Sequence, residues 1–329
     1  MPPRVKSFIV PPGSICTPDL RKRDLRPPHV IEAPQDDAEL QDVHAWLTAR
    51  ELDITTRLRT AVDDAIRYVL DSSRTRRFYL MAPEVDGDER STVGTKLQYY
   101  VVDELELIKQ PPLDTVIAGV AVEIKTTTRD AVMVPPEGQC EVTLMIQVDA
   151  RRHQFRVLLM RTHRAWLGGG EHPGQRDSKR TPYAEAVRSH ALPVVPWADL
   201  TPEPLRLLTP EQVDEVFDMH LGVRERATAL FRYLPEVVIP RRSLEVVGAG
   251  RADFMKRMRE AKPFVWHRHR LHVLVGTWKA DRDLGSRVGF DLSGEAWVSV
   301  TPERFKRYGV LQPPEPTLPG HLWPADYDA

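Results

Sequence analysis

The chain has 329 residues, of which 41% are hydrophobic and 28% charged, with a net charge of −1. That length predicts two domains with tails, and the even charge balance excludes a global polyelectrolyte interaction. No apolar run approaches the ~20 residues of a membrane span and no secretory h-region is present, so the expected setting is cytoplasmic, without membrane contact.

Eight of the first 35 residues are proline, which predicts a flexible, extended arm over 1–35. Its basic cluster Arg21-Lys22-Arg23 reads as solvated. From Asp36 the period becomes 3.6: Leu40, Val43, His44 and Leu47 mark one helix, and Leu58, Val62, Ala65, Ile66, Val69 and Leu70 a second. Pro83 and Asp86-Gly87 signal a loop. Thr95 with Gln98 fits a capping box, so a third helix is expected from Thr95 to about Lys109, before Pro111-Pro112.

Residues 113–125, LDTVIAGVAVEIK, read as two short strands joined at Gly119. VTLMIQVD (Val142–Asp149) and residues 154–163 are strand candidates apolar on both faces. Helices around a mixed sheet give an α/β domain over 36–190. Five prolines between 192 and 210 read as a linker over 191–210.

In the second domain, 211–310, helices are expected at Val213-Val216-Phe217, Ala227-Leu230-Phe231-Leu234, Leu244-Val246-Val247 and residues 252–260. Strand-like segments at 271–277 and 296–300 complete a winged-helix outline. Between His220 and His272, twelve Lys/Arg stand against five Asp/Glu, a positive excess that suits a phosphate-binding face or a solvated surface. His267, His269 and His272 read as an alternating, exposed strand face. A Pro-rich tail fills 311–329. Cys16 lies in the arm and Cys140 beside an expected strand; this argues against a disulfide, fits a reducing compartment, and leaves neither with metal-ligand neighbours in sequence.

The chemistry concentrates in 113–125. Side chains alternate along a strand, so Glu123 and Lys125 share a face and Ile124 enters the core. A turn at Ala118-Gly119 folds Asp114 back beside Glu123. Two adjacent carboxylates repel, and a hard divalent cation such as Mg²⁺ removes the conflict. Asp114, Glu123 and the Ile124 carbonyl are the expected metal ligands, with Lys125 and either Gln98 or Glu104 nearby. This is the PD-(D/E)xK nuclease layout without its leading proline, a pattern that chance also supplies. Arg176, Lys179 and Arg180, and in the second domain Lys256, Arg257 and Arg259, are the expected DNA-binding residues. Glu137 suits a structural cap or a base reader.

These residues carry a family resemblance. Gly94-Thr95, Asp114-x-x-Ile117-Ala118-Gly119-Val120-x-Val122-Glu123-x-Lys125, Met133-x-Pro135-Pro136-Glu137, Arg176-Asp177-x-Lys179-Arg180 and Asp253-Phe254-Met255-Lys256-Arg257-x-Arg259 together resemble the NaeI-type, type IIE restriction endonucleases over about 45–280. The resemblance implies a PD-(D/E)xK nuclease domain followed by a winged-helix domain. It implies a Mg²⁺-dependent homodimer that cuts double-stranded DNA at a short GC-rich palindrome. A second DNA copy at the C-terminal domain activates it, and a cognate methyltransferase accompanies it. Asp114, Glu123 and Lys125 fall on catalytic positions, and Gln98 on a fourth where glutamate is usual; Glu123 replaces an aspartate. The competing readings are a winged-helix regulator with an inactive nuclease-like domain, and a repair or nicking nuclease for modified or mismatched DNA.

Overall fold

The structure, a computed structural model, describes residues 10–17, 26–168, 179–249, 251 and 253–317. The chain forms two units, 1–70 with 79–201, and 71–78 with 202–329.

The first unit opens with a hairpin, β1 (Ile15–Cys16) and β2 (His29–Val30), in which Cys16 pairs with His29. Where described, the expected mobile arm is therefore anchored, with Cys16, Ile31 and Ala33 buried. Helices α1 (Ala38–Leu47) and α2 (Ile54–Leu70) follow the predicted periodicity. The short helix α3 (Ser72–Thr75) belongs to the other unit. Helix α4 (Gly87–Glu104) corrects the expected third helix. Its capping box is Asp86 with Glu89, which places Thr95 and Gln98 mid-helix and frees the Gln98 side chain from a capping role.

The sheet has the order β3-β4-β5-β6-β9: β3 (Thr115–Ile117), β4 (Val120–Thr127), β5 (Val142–Asp149), β6 (Gln154–Arg161) and β9 (Leu192–Asp199). β4 and β5 run parallel and the other neighbours antiparallel, so the mixed sheet expected from sequence is present. Leu144, Ile146, Phe155 and Val157 are buried in one core with residues of α2 and α4, and Met145 and Met160 on the opposite face of the same strands are buried in another, so both faces are covered. A second hairpin, β7 (Leu167–Gly168) with β8 (Thr181–Pro182), and helix α5 (Ala184–His190) precede β9.

β9 overturns the linker expected at 191–210. Its prolines read as disorder signals, but proline is tolerated on an edge strand, where a missing amide costs no ladder bond. β9 is the sheet's edge, and its pairing with β6 is interrupted by register shifts. Pro210 likewise opens a helix, α6 (Pro210–Val216), whose N-cap is Thr209.

The second unit continues with α7 (Val223–Tyr233), α8 (Arg241–Gly248), α9 (Phe254–Arg259), α10 (Ala261–His269), β10 (His272–Val275), α11 (Lys279–Arg287), β11 (Trp297–Val300) and α12 (Pro302–Arg307). β10 and β11 pair antiparallel, and Ile239 bridges to Trp297 beside them. Helix α11 separates the two strands in sequence, so no simple wing loop joins them. His267 and His269 lie on α10, and His272 is a buried β10 residue stacked on Trp266; the alternating exposed strand expected there is absent. Residues 311–317 have no regular secondary structure. Among the described residues no helix is long and apolar enough to cross a membrane.

Candidate active site

The β3–β4 hairpin turns through Ala118 and Gly119, at φ 51° and 81°. A two-residue turn with both φ values positive matches the right-handed twist of its strands. It sets Thr115 opposite Val122 and brings Asp114, just before β3, level with the middle of β4. There Asp114 Oδ2 accepts the Ile124 backbone amide at 2.9 Å.

Glu123 and Lys125 share one face of β4, as strand alternation demands. Lys125 Nζ lies 2.5 Å from Glu123 Oε1 and 3.8 Å from Asp114 Oδ2, bridging the two carboxylates. Glu123 is only 3% exposed. Burial pushes its carboxyl above the ordinary value; Lys125 opposes the shift, while Asp114 and Glu137 add to it. A buried carboxylate in this state gains from any cation placed beside it.

Helix α4 packs on β4 at Gly94, where an added Cβ would stand 2.7 Å from Thr126 Oγ1. One turn on, Gln98 Nε2 donates to the Ile124 carbonyl at 2.9 Å. That carbonyl, an expected metal ligand, thus already accepts one hydrogen bond and keeps a second lone pair. Glu104, the alternative polar contributor, is the last residue of α4. The 3-10 turn Pro136–Gly138 abuts the site from the other side, its Gly138 so close that a Cβ would come 2.9 Å from Glu123 Cγ.

Beside the carboxylates lies a cleft of about 550 Å³ lined by Lys125, Gln98, Arg90, Arg129 and Lys179, with the hydroxyls of Ser91 and Thr126 to Thr128 and, among the described residues, no carboxylate. Cations and hydroxyls without acids suit a phosphate backbone. Of the residues expected to meet DNA, Lys179 lines this cleft. Arg180 is half-buried and pairs through its backbone with Val134. Arg176 lies outside the described residues. In the second unit Lys256 and Arg257 are exposed on α9, and Arg257 pairs with Glu260 at 3.0 Å; Arg259 is half-buried. Arg90 and Arg129 were not singled out from sequence. The signal was present in Thr126-Thr127-Thr128-Arg129, a run of hydroxyls and a cation continuing directly from Lys125.

The cysteines are unpaired, as expected, but they do not lack ligand neighbours. Cys16 and Cys140 are free and buried, with sulfurs 3.5 Å apart, and His29 and His163 complete a group of four.

No curated protein matches the chain. The sequence profile of the family described as restriction endonuclease NaeI matches residues 48–324, most of both units. The chain belongs to the NaeI family of type II restriction endonucleases, enzymes that bind and hydrolyse DNA.

Proposed function

We propose that the chain is a Mg²⁺-dependent, type IIE-like restriction endonuclease whose cutting site is Asp114, Glu123 and Lys125, assisted by Gln98. The observation that carries this is the bridging of the Asp114 and Glu123 carboxylates by Lys125, at 3.8 and 2.5 Å, beside a basic cleft.

Asp114, Glu123 and the Ile124 carbonyl are hard oxygen donors of the kind magnesium takes. The raised proton affinity of buried Glu123 fits a site that a cation completes. When bound, magnesium supplies Lewis acidity toward a phosphate oxygen and a more acidic water. The protein's own groups do the rest. The Ile124 amide fixes the Asp114 carboxylate, and Gln98 fixes the Ile124 carbonyl. Lys125 orients the attacking water and stabilises charge developing on the phosphoryl oxygens. Attack in line with the 3′ oxygen gives a 5′-phosphate and a 3′-hydroxyl. Arg90, Arg129 and Lys179 hold flanking phosphates.

In the second unit, the order α7, the Ile239 bridge, α8, α9 and α10, then the antiparallel pair β10 and β11 with α11 inserted between them, supports a winged-helix reading. Lys256, Arg257 and Arg259 are its candidates for a second DNA copy. The active form is a homodimer on a short GC-rich palindrome, protected in the host by a cognate methyltransferase.

The test is digestion of phage DNA with purified protein and Mg²⁺. Discrete fragments are expected, with Lys125→Ala abolishing cleavage while retaining DNA binding. Loss of binding together with cleavage would remove Lys125 from the chemistry. Neutral Gln98 on the Ile124 carbonyl is the one observation favouring a regulator with an inactive nuclease domain. Retarded but intact DNA would establish that reading, and nicks confined to lesion-bearing DNA would establish a repair enzyme.

A further inference from the structure

We infer that Cys16, His29, Cys140 and His163 form a structural zinc site, separate from the carboxylates that hold the catalytic metal. Two thiols and two imidazoles are the donor set of a closed tetrahedral zinc centre. Their ligand atoms all lie within 4.8 Å of one another. The sulfurs are 3.5 Å apart, and His29 Nε2 is 3.1 Å from His163 Nδ1. Zinc, at roughly 2.3 Å from sulfur and 2.0–2.1 Å from nitrogen, spaces tetrahedral ligands about 3.3–3.8 Å apart. The same sulfurs stand well beyond the roughly 2.05 Å of a disulfide.

The surroundings suit ligands. His29 Nδ1 donates to the Pro27 carbonyl at 2.9 Å. A carbonyl only accepts, so this bond fixes the tautomer and leaves a bare lone pair on Nε2, facing His163. Metal-bound histidines make this outer hydrogen bond as a rule. The Arg164 amide points at Cys140 Sγ at 3.4 Å. Amide donors favour thiolate sulfur, the form that binds metal. Cys16, Cys140 and His163 are at most 2% exposed, and the cysteines belong to a small core of their own with Ile31, Val134, Met145, Met160 and Trp166.

The four residues come from separate places. Cys16 and His29 face each other across the β1–β2 hairpin, Cys140 precedes β5, and His163 follows β6. A hairpin of two-residue strands is marginal alone, and one ion would fasten it to the sheet across 124 residues of sequence. It would also pin the segment holding Gly138, which packs on Glu123. The site thus supports the active site mechanically without supplying a reacting group.

The full-length protein, gel-filtered in metal-free buffer without chelator, is assayed by elemental mass spectrometry. One zinc per chain is expected. Protein refolded with Co²⁺ in its place should show the strong visible bands of tetrahedral cobalt and a near-ultraviolet thiolate charge-transfer band. Cys140→Ser and His29→Ala should each lower or abolish the zinc content. The wild-type stoichiometry and cobalt spectrum decide the matter even if a variant fails to fold. Wild-type protein without zinc, whether its thiols titrate as free or as a Cys16–Cys140 disulfide, overturns the inference. Undiminished zinc in Cys140→Ser overturns it equally. Because none of these readouts uses cleavage, an inactive nuclease would leave the result intact.

Discussion

Gln98 shows how much one atom can matter. Its Nε2 donates to the Ile124 carbonyl at 2.9 Å. A glutamate there has no N–H to offer, so its carboxylate would face a carbonyl oxygen and be repelled unless a cation intervenes. Gln98→Glu should therefore lower the melting temperature in EDTA. It should tighten magnesium on the order of tenfold, as an added ligand charge does. Melting curves and the Mg²⁺ dependence of cleavage check this, and an unchanged Mg²⁺ midpoint would place Gln98 outside the metal's reach. Gly138 makes a different demand. A methyl there would stand 2.9 Å from Glu123 Cγ and 3.3 Å from its Cδ, and Glu123 is buried, so something must move. Since misplacing a catalytic group by an ångström costs about 10²-fold, Gly138→Ala should cut the cleavage rate by about that factor. DNA affinity, measured by filter binding, should stay near wild type.

At the scale of elements, the join between α1 and the sheet rests on Asp37. It caps α1 by accepting the Leu40 amide at 3.1 Å, and it grips Arg161 of β6 at 2.5 and 2.9 Å. Both partners are buried. Burial alone would raise the Asp37 carboxyl, but Arg161 outweighs it and holds the group below its ordinary value. A carboxylate depressed on folding contributes stability above its unfolded pKa, and loses it as pH falls through its folded one. Asp37→Ala should thus cost about 2–3 kcal/mol at pH ~7, less than the roughly 3–5 kcal/mol of orphaning a buried ion, because Glu39 still holds Arg161 at 2.6 Å. The gap to wild type should narrow below pH ~4; urea denaturation at both pH values measures it. Periodicity made α1, α2, β5 and β6 legible, because each buries one face or both at its own period. The β3–β4 hairpin was legible from its turn and its alternation. Proline hid β9, since composition does not reveal that a strand lies at an edge. The start of α4 was hidden by two competing capping patterns, Asp86-Glu89 and Thr95-Gln98, of which only the first stands before the whole apolar face. The Cys/His group was invisible for a simpler reason: its members are brought together by the sheet, not by spacing.

Each of the two units has its own main core, and the chain enters that of the second unit twice. Residues 71–78 leave the sequence of the first unit to join the second, then return it at Tyr79. Phe78 packs on Phe217 with ring centroids 5.4 Å apart, and Arg76 reaches Asp214 at 2.9 Å and the Phe217 carbonyl at 3.1 Å. The exposed ion pair contributes little; the aromatic contact carries the attachment. Phe78→Ala should therefore destabilise the C-terminal unit by about 2 kcal/mol, below the 3–5 kcal/mol of a fully buried phenylalanine because Phe78 is only half-buried. Although residue 78 stands between two helices of the nuclease unit in sequence, the loss should fall elsewhere. Hydrogen exchange should quicken in α6 and α7, while β5 and β6 keep their protection. Quickened exchange in β5 and β6 with α7 unchanged would show instead that residues 71–78 belong energetically to the first core.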